Sequence, residues 1–311
     1  MAKNIQVLSV NVSSVQGMPV KQATQFHPDS DKVSGNESVY SIHHVLRLLE
    51  RGRSHFMAPV SEGVLMPDAV EWDILIEGND HTHALPLDRF SGEHIEMEVM
   101  KIAGRSHDAK GVIPEETGNT TIPVEVIYAR VTKPGMLKPG DTLVYIPRGF
   151  RIELVTLSDR AFRGEYEDLS GPRVEELITK HFSKSARNIR LKKTIIPDDE
   201  NLLKQLIGSS LNNSADILIT TGGTGVGKRD ITVDTIRPLL TKEVPGIMEM
   251  IRVKYGSQKP QALLSRSVAG FIDNMLVYTL PGSVKAVNEY MEEILKTIDH
   301  LIYMRYGLDV H

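Results

Sequence analysis

Two domains of different class are predicted: a β-rich, barrel-like domain over residues 1–148 and an α/β domain over 149–311. Three observations predict them. Before about Arg148 the apolar residues alternate with polar ones in short runs broken by Gly, Pro, Asn and Asp, which is how half-buried antiparallel strands are written. After about Phe150 near-continuous apolar runs alternate with helical patterns, the signature of a parallel sheet covered on both faces. Between them, PGMLKPGD and IPRGF concentrate the residues that punctuate chains.

In the first half, IQVLSVNV, HIEMEVMKI, VEVIYARV and DTLVYIP are the predicted strands. In the second, IELVTLS, DILITTGG and LVYTLPG read as strands buried on both faces. Helix starts lie between them. Pro172 fits a first helical position, and Asp198 or Asp199 precedes the apolar set Leu202, Leu203, Leu206 and Ile207. Thr232 opens VDTIRPLL, in which Pro238 should end or kink the helix. From Ser283 the apolar residues Val284, Val287, Met291, Ile294, Ile298, Leu301 and Ile302 keep a helical period, which predicts one long final helix with one face on the sheet.

Composition narrows the function. The 311 residues are 41% hydrophobic and 24% charged, ordinary for soluble domains, and a net charge of −4 with no Lys/Arg-rich run gives no field for nucleic acid. No stretch approaches the roughly 18 apolar residues of a membrane span, and MAKNIQVLSVNVSS lacks the apolar core of a secretory signal, so a cytoplasmic protein is expected. The absence of cysteine removes disulfides, thiolate metal sites and thiol nucleophiles together.

The segment TTGGTGVGKRD resembles a phosphate loop, with Gly222, Gly227 and Lys228 in place, but Arg229 stands where that loop needs a hydroxyl for magnesium. It also follows a strand–helix–strand stretch instead of the domain's first strand. What remains is an apolar strand running into Gly222, Gly223 and Gly225, where missing side chains let backbone N–H groups approach an anion. Open α/β sheets bind ligands at the carboxyl ends of their strands. Ser158 and Asp159, Pro197 and Asp198, and Pro281, Gly282 and Ser283 should therefore gather with the loop on one rim. Carboxylates beside an anion site call for a bridging cation, and magnesium suits that need.

SDRAFRGEYEDLSG, IPDDE, TTGGTGVGKRDIT, LLSRSVAG and TLPGS, in that order from about Arg151 to Tyr306, resemble the motif series of the molybdopterin adenylyltransferase family, which includes Mog, MoaB and the gephyrin G domain. The resemblance implies a three-layer α/β fold, a homotrimer, and transfer of AMP from MgATP to molybdopterin with release of pyrophosphate. By position it implies catalytic roles for Asp198 and Asp230, with Asp230 holding magnesium. It further implies substrate- or nucleotide-binding roles for Ser158, Asp159, Thr221, Gly222, Gly223, Thr224, Gly225, Ser265, Arg266, Pro281, Gly282 and Ser283. TVD replaces the TPD or TPE of much of the family. Expected partners are molybdopterin, ATP and other molybdenum cofactor biosynthesis proteins, with no nucleic acid or membrane. A non-catalytic pterin-binding or scaffolding protein is the alternative, and a CinA-like nucleotide hydrolase a further one.

VLSVNVSSVQGMPVKQ, EGNDHTHALPL and PVEVIYARVTKPGMLKPGDTL make residues 4–147 similar to the MOSC domain of molybdenum cofactor sulfurases. The reactive cysteine of that family is replaced: Ser106, with His107 beside it, occupies about its place in GRSHDAKG. A serine hydroxyl cannot carry a persulfide, so this half is expected to bind or dock instead of moving sulfur. His81 and His83, with Asp80 before them, have strand-like metal-ligand spacing but no identifiable third ligand, and a polar loop is the expected reading.

Overall fold

The computed structural model describes residues 3–12, 21–23, 25–26, 37–38, 45–50, 73–78, 84–103, 112–113, 122–123 and 126–308. The chain divides into two compact units, Met1–Arg148 with Gly307–His311, and Gly149–Tyr306. Ser106, His107, Asp80, His81 and His83 lie outside the described residues.

The first unit is a barrel. Its strands are β1 (Lys3–Val12), β2 (Lys21–Ala23), β3 (Val45–Glu50), β4 (Ile74–Glu77), β5 (Arg89–Ser91), β6 (Glu96–Ala103), β7 (Val126–Lys133) and β8 (Thr142–Ile146). They run in the order β8-β5-β6-β7-β3-β4-β1-β2, and pairing of β1 with β8, from Lys3 opposite Tyr145 to Gln6 opposite Thr142, closes seven of them into a ring. Alternate residues point inward, as a two-residue period requires. Leu46 and Leu48, Ile74 and Ile76, Met97 and Val99, and Ile127, Ala129 and Val131 are all buried in one core. Inward-facing Ile5 and Val7 give way to Val10 because a bulge between Val7 and Ser9 shifts the parity of β1. Large apolar side chains thus fill the barrel.

The second unit is a sheet of six strands: β9 (Phe150–Leu157), β10 (Ile189–Ile196), β11 (Ile217–Thr221), β12 (Lys242–Glu243), β13 (Ala269–Ile272) and β14 (Met275–Leu280). Their order is β10-β9-β11-β14-β13-β12; the first four are mutually parallel, and β13 pairs antiparallel with both β14 and β12. The helices are α1 (Asp159–Phe162), α2 (Ser170–Lys184), α3 (Glu200–Asn212), α4 (Thr232–Ile236), α5 (Pro245–Gly256), α6 (Val284–Ile294) and α7 (Ile298–Arg305). Three layers result. Val155 and Leu157 of β9 pack with Leu203 and Ile207 of α3 and with Val233 and Ile236 of α4. On the opposite face Phe150 meets Phe182 of α2 edge-on at 5.5 Å, and α2 lies against α6. Burial of Val174, Ile178 and Phe182, at helical spacing on α2, contributes about 1.5–3 kcal/mol each.

Three details differ from the sequence expectations. α2 starts at Ser170, two residues before Pro172, because the Asp168 carboxylate accepts the Ser170 and Gly171 N–H groups at 3.0 Å each and caps the earlier start. The single final helix is two: the apolar period runs on, but Leu295–Thr297 turn between α6 and α7. α4 ends at Ile236, where Pro238 forces a 3-10 turn over Arg237–Leu239, as its missing N–H requires. Among the described residues no helix is long and apolar enough to cross a membrane.

Candidate functional site at the strand ends

Register builds the site. Leu157 of β9 is level with Ile196 of β10, Thr156 with Thr221 of β11, and Thr221 with Leu280 of β14. Ser158 and Asp159, Pro197 and Asp198, Gly222 to Gly225, and Pro281 to Ser283 therefore leave the sheet side by side on one rim. The chain passes from β9 to β10 on one side and from β11 to β14 on the other, so a crevice opens between the ends of β9 and β11.

The glycine loop lies on that crevice and its base is fixed. Gly222 donates its N–H to Leu280 O at 2.9 Å, has φ of +95°, and lies so close to β9 that a Cβ would sit 2.3 Å from Leu157 O. Gly223 has φ of +61°, and a Cβ there would be 2.4 Å from Thr232 Oγ1. That hydroxyl donates to Gly222 O at 2.8 Å, so the buried Thr232 ties the loop to its own exit. Asp230 Oδ2 accepts the Gly227 N–H at 2.7 Å. Arg266 clamps the loop from below: its backbone N–H reaches Thr224 O, Nε reaches Gly225 O at 2.7 Å, and its guanidinium pairs with both carboxylate oxygens of Asp234. These bonds leave the N–H groups of Gly223, Thr224, Gly225 and Val226 without an acceptor among the described residues. Consecutive free N–H groups on a glycine turn form an anion-binding nest.

Opposite the loop stand the carboxylates. Asp159 and Asp198 bind each other reciprocally, Asp198 N–H to Asp159 Oδ1 at 3.1 Å and Asp159 N–H to Asp198 Oδ2 at 3.3 Å. Arg229, on the loop, pairs with Asp159. Partial burial pushes the Asp159 carboxyl up, but the Asp198 N–H and the Arg229 guanidinium outweigh it and hold the group below its ordinary range. Asp198 goes the other way: burial, then the neighbouring Asp159 and Asp230 charges, raise its pKa despite the Asp159 N–H and Arg229. The cap of α3 is Asp199, which accepts Leu202 N–H at 2.9 Å, so Asp198 has no capping duty.

A stability prediction follows from Asp198. Its folded pKa lies above the unfolded 3.8, so the fold is favoured with the carboxyl protonated and loses that advantage as pH rises through the folded pKa. Asp198→Asn, which keeps the acceptor for Asp159 N–H, should melt higher than the wild type at neutral pH without added cation, and the gap should close below about pH 3.8. Thermal melts across pH check this, and a variant less stable at pH 7 would contradict it.

Other rim residues also make contacts within the scaffold. Ser158 caps α1, accepting Ala161 N–H at 3.2 Å, and Ser283 caps α6, accepting Ala286 N–H at 3.3 Å. Ser265 Oγ is 2.9 Å from Ser267 Oγ. Thr221 is fully buried, 2.9 Å from Ser170 Oγ and 3.3 Å from Thr156 Oγ1. Asp168, not singled out in the sequence, is the hub of that cluster: it accepts from Thr156 Oγ1 at 2.7 Å and from Ser170 Oγ at 2.8 Å. It joins the start of α2 to the ends of β9 and β11 beneath the crevice.

A three-layer α/β unit with free loop N–H groups and paired carboxylates at its topological switch point has the architecture in which open α/β sheets place ligand sites at strand ends. Residues 153–300 match the family model described as "Probable molybdopterin binding domain". The chain is 36% identical over 161 residues to "Molybdopterin adenylyltransferase" of Pyrococcus furiosus, across 50% of this chain and 91% of that one. It is 33% identical over 174 residues to "Molybdenum cofactor biosynthesis protein B" of Staphylococcus carnosus, across 54% and 98%. Among solved structures it is similar to the tungsten cofactor synthesizing protein MoaB from Pyrococcus furiosus, with 34% identity, TM-score 0.45, and coverage of 51% of this chain and 98% of that one. Through its C-terminal half the chain belongs to the MoaB/Mog family of molybdenum cofactor biosynthesis proteins.

Proposed function

We propose that the C-terminal unit transfers AMP from ATP to molybdopterin. A phosphate oxygen of the pterin attacks the α-phosphorus, the bond to the β-phosphate oxygen breaks, and pyrophosphate leaves. The observation that carries this reading is the run of four N–H groups without an acceptor among the described residues, Gly223 to Val226, on a loop whose Arg229 reaches Asp159 and, through it, the Asp159–Asp198 pair. Fixed donors aimed at a phosphate chain stabilise charge as it develops and need no reorganisation. The family's adenylyltransferase member supports the same reaction here.

Magnesium fits this site as an ion shared between protein carboxylates and substrate phosphates. Among the described residues no three acidic or histidine side chains converge to cage a metal, and magnesium characteristically takes one or two carboxylates with substrate phosphates completing its shell. Asp198, whose burial among like charges disfavours its bare anion, and Asp230 beside it would hold the ion. When bound, it would neutralise charge on the leaving pyrophosphate. The chain's own groups orient: the nest holds phosphate oxygens, and Arg266 and Thr232 keep the nest in shape.

Pyrophosphate release on mixing the chain with molybdopterin, ATP and magnesium tests the proposal. Stoichiometric release supports it; pterin binding with no release would favour the scaffolding reading.

Residues 149–311 alone should fold, assemble as a trimer and keep this activity, because the whole rim comes from Gly149–Tyr306. Sedimentation and the same assay check this, and a monomeric or inactive fragment would contradict it. We propose a docking role for the barrel of the first unit, whose MOSC resemblance rests on sequence motifs alone. Its interior is filled with apolar side chains and the chain has no cysteine, so a partner would meet its outer surface and no persulfide could form.

A further inference from the structure

The Arg229–Asp159 ion pair crosses the crevice from the glycine loop to the end of β9. The loop does not need it for shape, since Arg266, Thr232 and Asp230 already fix the base. The Arg229 side chain is 67% exposed and that of Asp159 25%. A pair with one partner this exposed is screened by water and adds little net stability. A planar guanidinium binding two phosphate oxygens gains more, through charge-assisted, paired hydrogen bonds. A phosphate chain seated on the N–H groups of Gly223 to Val226 would lie on the same loop as Arg229, and the exchange of Asp159 for phosphate would run downhill.

We infer that Arg229 is a switchable counter-ion: it is parked on Asp159 in the ligand-free protein and moves to the polyphosphate of a bound nucleoside triphosphate. Asp159 thereby holds Arg229 in reserve, and the guanidinium partly neutralises Asp159 and the neighbouring Asp198 until substrate arrives. The inference rests on the nucleotide reading of this site and adds a residue and an order of events to it.

Inorganic tripolyphosphate without divalent cation is the probe, titrated by calorimetry into the full chain and into D159N, R229Q and the double variant. The amide oxygen that D159N introduces would still accept the Asp198 N–H, so the rim should hold. R229Q should weaken binding about 5-fold or more, and D159N should tighten it about 2- to 5-fold, the worth of one released exposed pair. In the double variant the gain from D159N should vanish. A gain that persists without Arg229 would show that Asp159 acts only as a repelling charge and would overturn the inference, as would unchanged affinity in R229Q. Failure of the wild type to bind tripolyphosphate even with magnesium would instead sink the nucleotide reading and, with it, this inference.

Discussion

Replacing Asp230 with asparagine should cut adenylyl transfer by about 10²-fold or more while leaving affinity for molybdopterin within a few-fold of the wild type. The substitution is nearly isosteric. The new side-chain amide would still accept the Gly227 N–H that Asp230 Oδ2 now takes at 2.7 Å, so the loop keeps its path and only the charge is lost. That charge is assigned to the cation and to the transition state, not to grip on the pterin, and a loss confined to turnover is the kinetic mark of such a group. Single-turnover rates and equilibrium pterin binding together decide it. Near-full turnover at saturating magnesium would remove Asp230 from the catalytic set.

Gly222→Ala should be nearly as damaging for a different reason. At φ of +95° an alanine is strained, and its Cβ would lie 2.3 Å from a backbone oxygen, Leu157 O, which cannot swing aside as a side chain could. The loop would have to move away from β9, and displacement of about 1 Å in a positioning loop costs on the order of 10²-fold in rate. Gly208→Ala is the matched control. It lies inside α3, its Cβ would meet nothing within 4 Å, and it should stabilise the unit by about 0.5–1 kcal/mol without touching activity. Equal activity in the two variants would show that the loop's close approach to β9 has no functional weight.

The sheet of the second unit was readable because strands buried on both faces are written as continuous apolar runs: every residue of Ile217–Thr221 and Met275–Leu280 is buried. The rim followed from the strand ends alone. Other features depend on contacts that no local pattern carries. The Asp168 cluster joins residues 156, 168, 170 and 221, which only the fold brings together. The bonds of Arg266 to Thr224, Gly225, Asp230 and Asp234 join positions 32 to 42 residues apart in the chain, which no local pattern announces. Adjacent aspartates divide two duties that sequence alone left open: Asp199 caps α3 and Asp198 faces Asp159. The break at Leu295–Thr297 escaped because apolar spacing continues through it and Thr297 makes no side-chain cap. In the first half the alternation predicted strands, while closure came from the pairing of β1 with β8, a contact between the two ends of that unit.

The most direct measurement of the central claim follows two labels through one turnover. The full chain is incubated with molybdopterin, magnesium and ATP labelled at either the α- or the γ-phosphate, and the pterin is then isolated. Transfer of AMP predicts that α-label appears on the pterin in equal amount with γ-label in pyrophosphate, and that both are lost together in Asp230→Asn. Pterin free of α-label, or γ-label appearing as inorganic phosphate, would contradict adenylyl transfer and leave the rim as a binding site or a hydrolase.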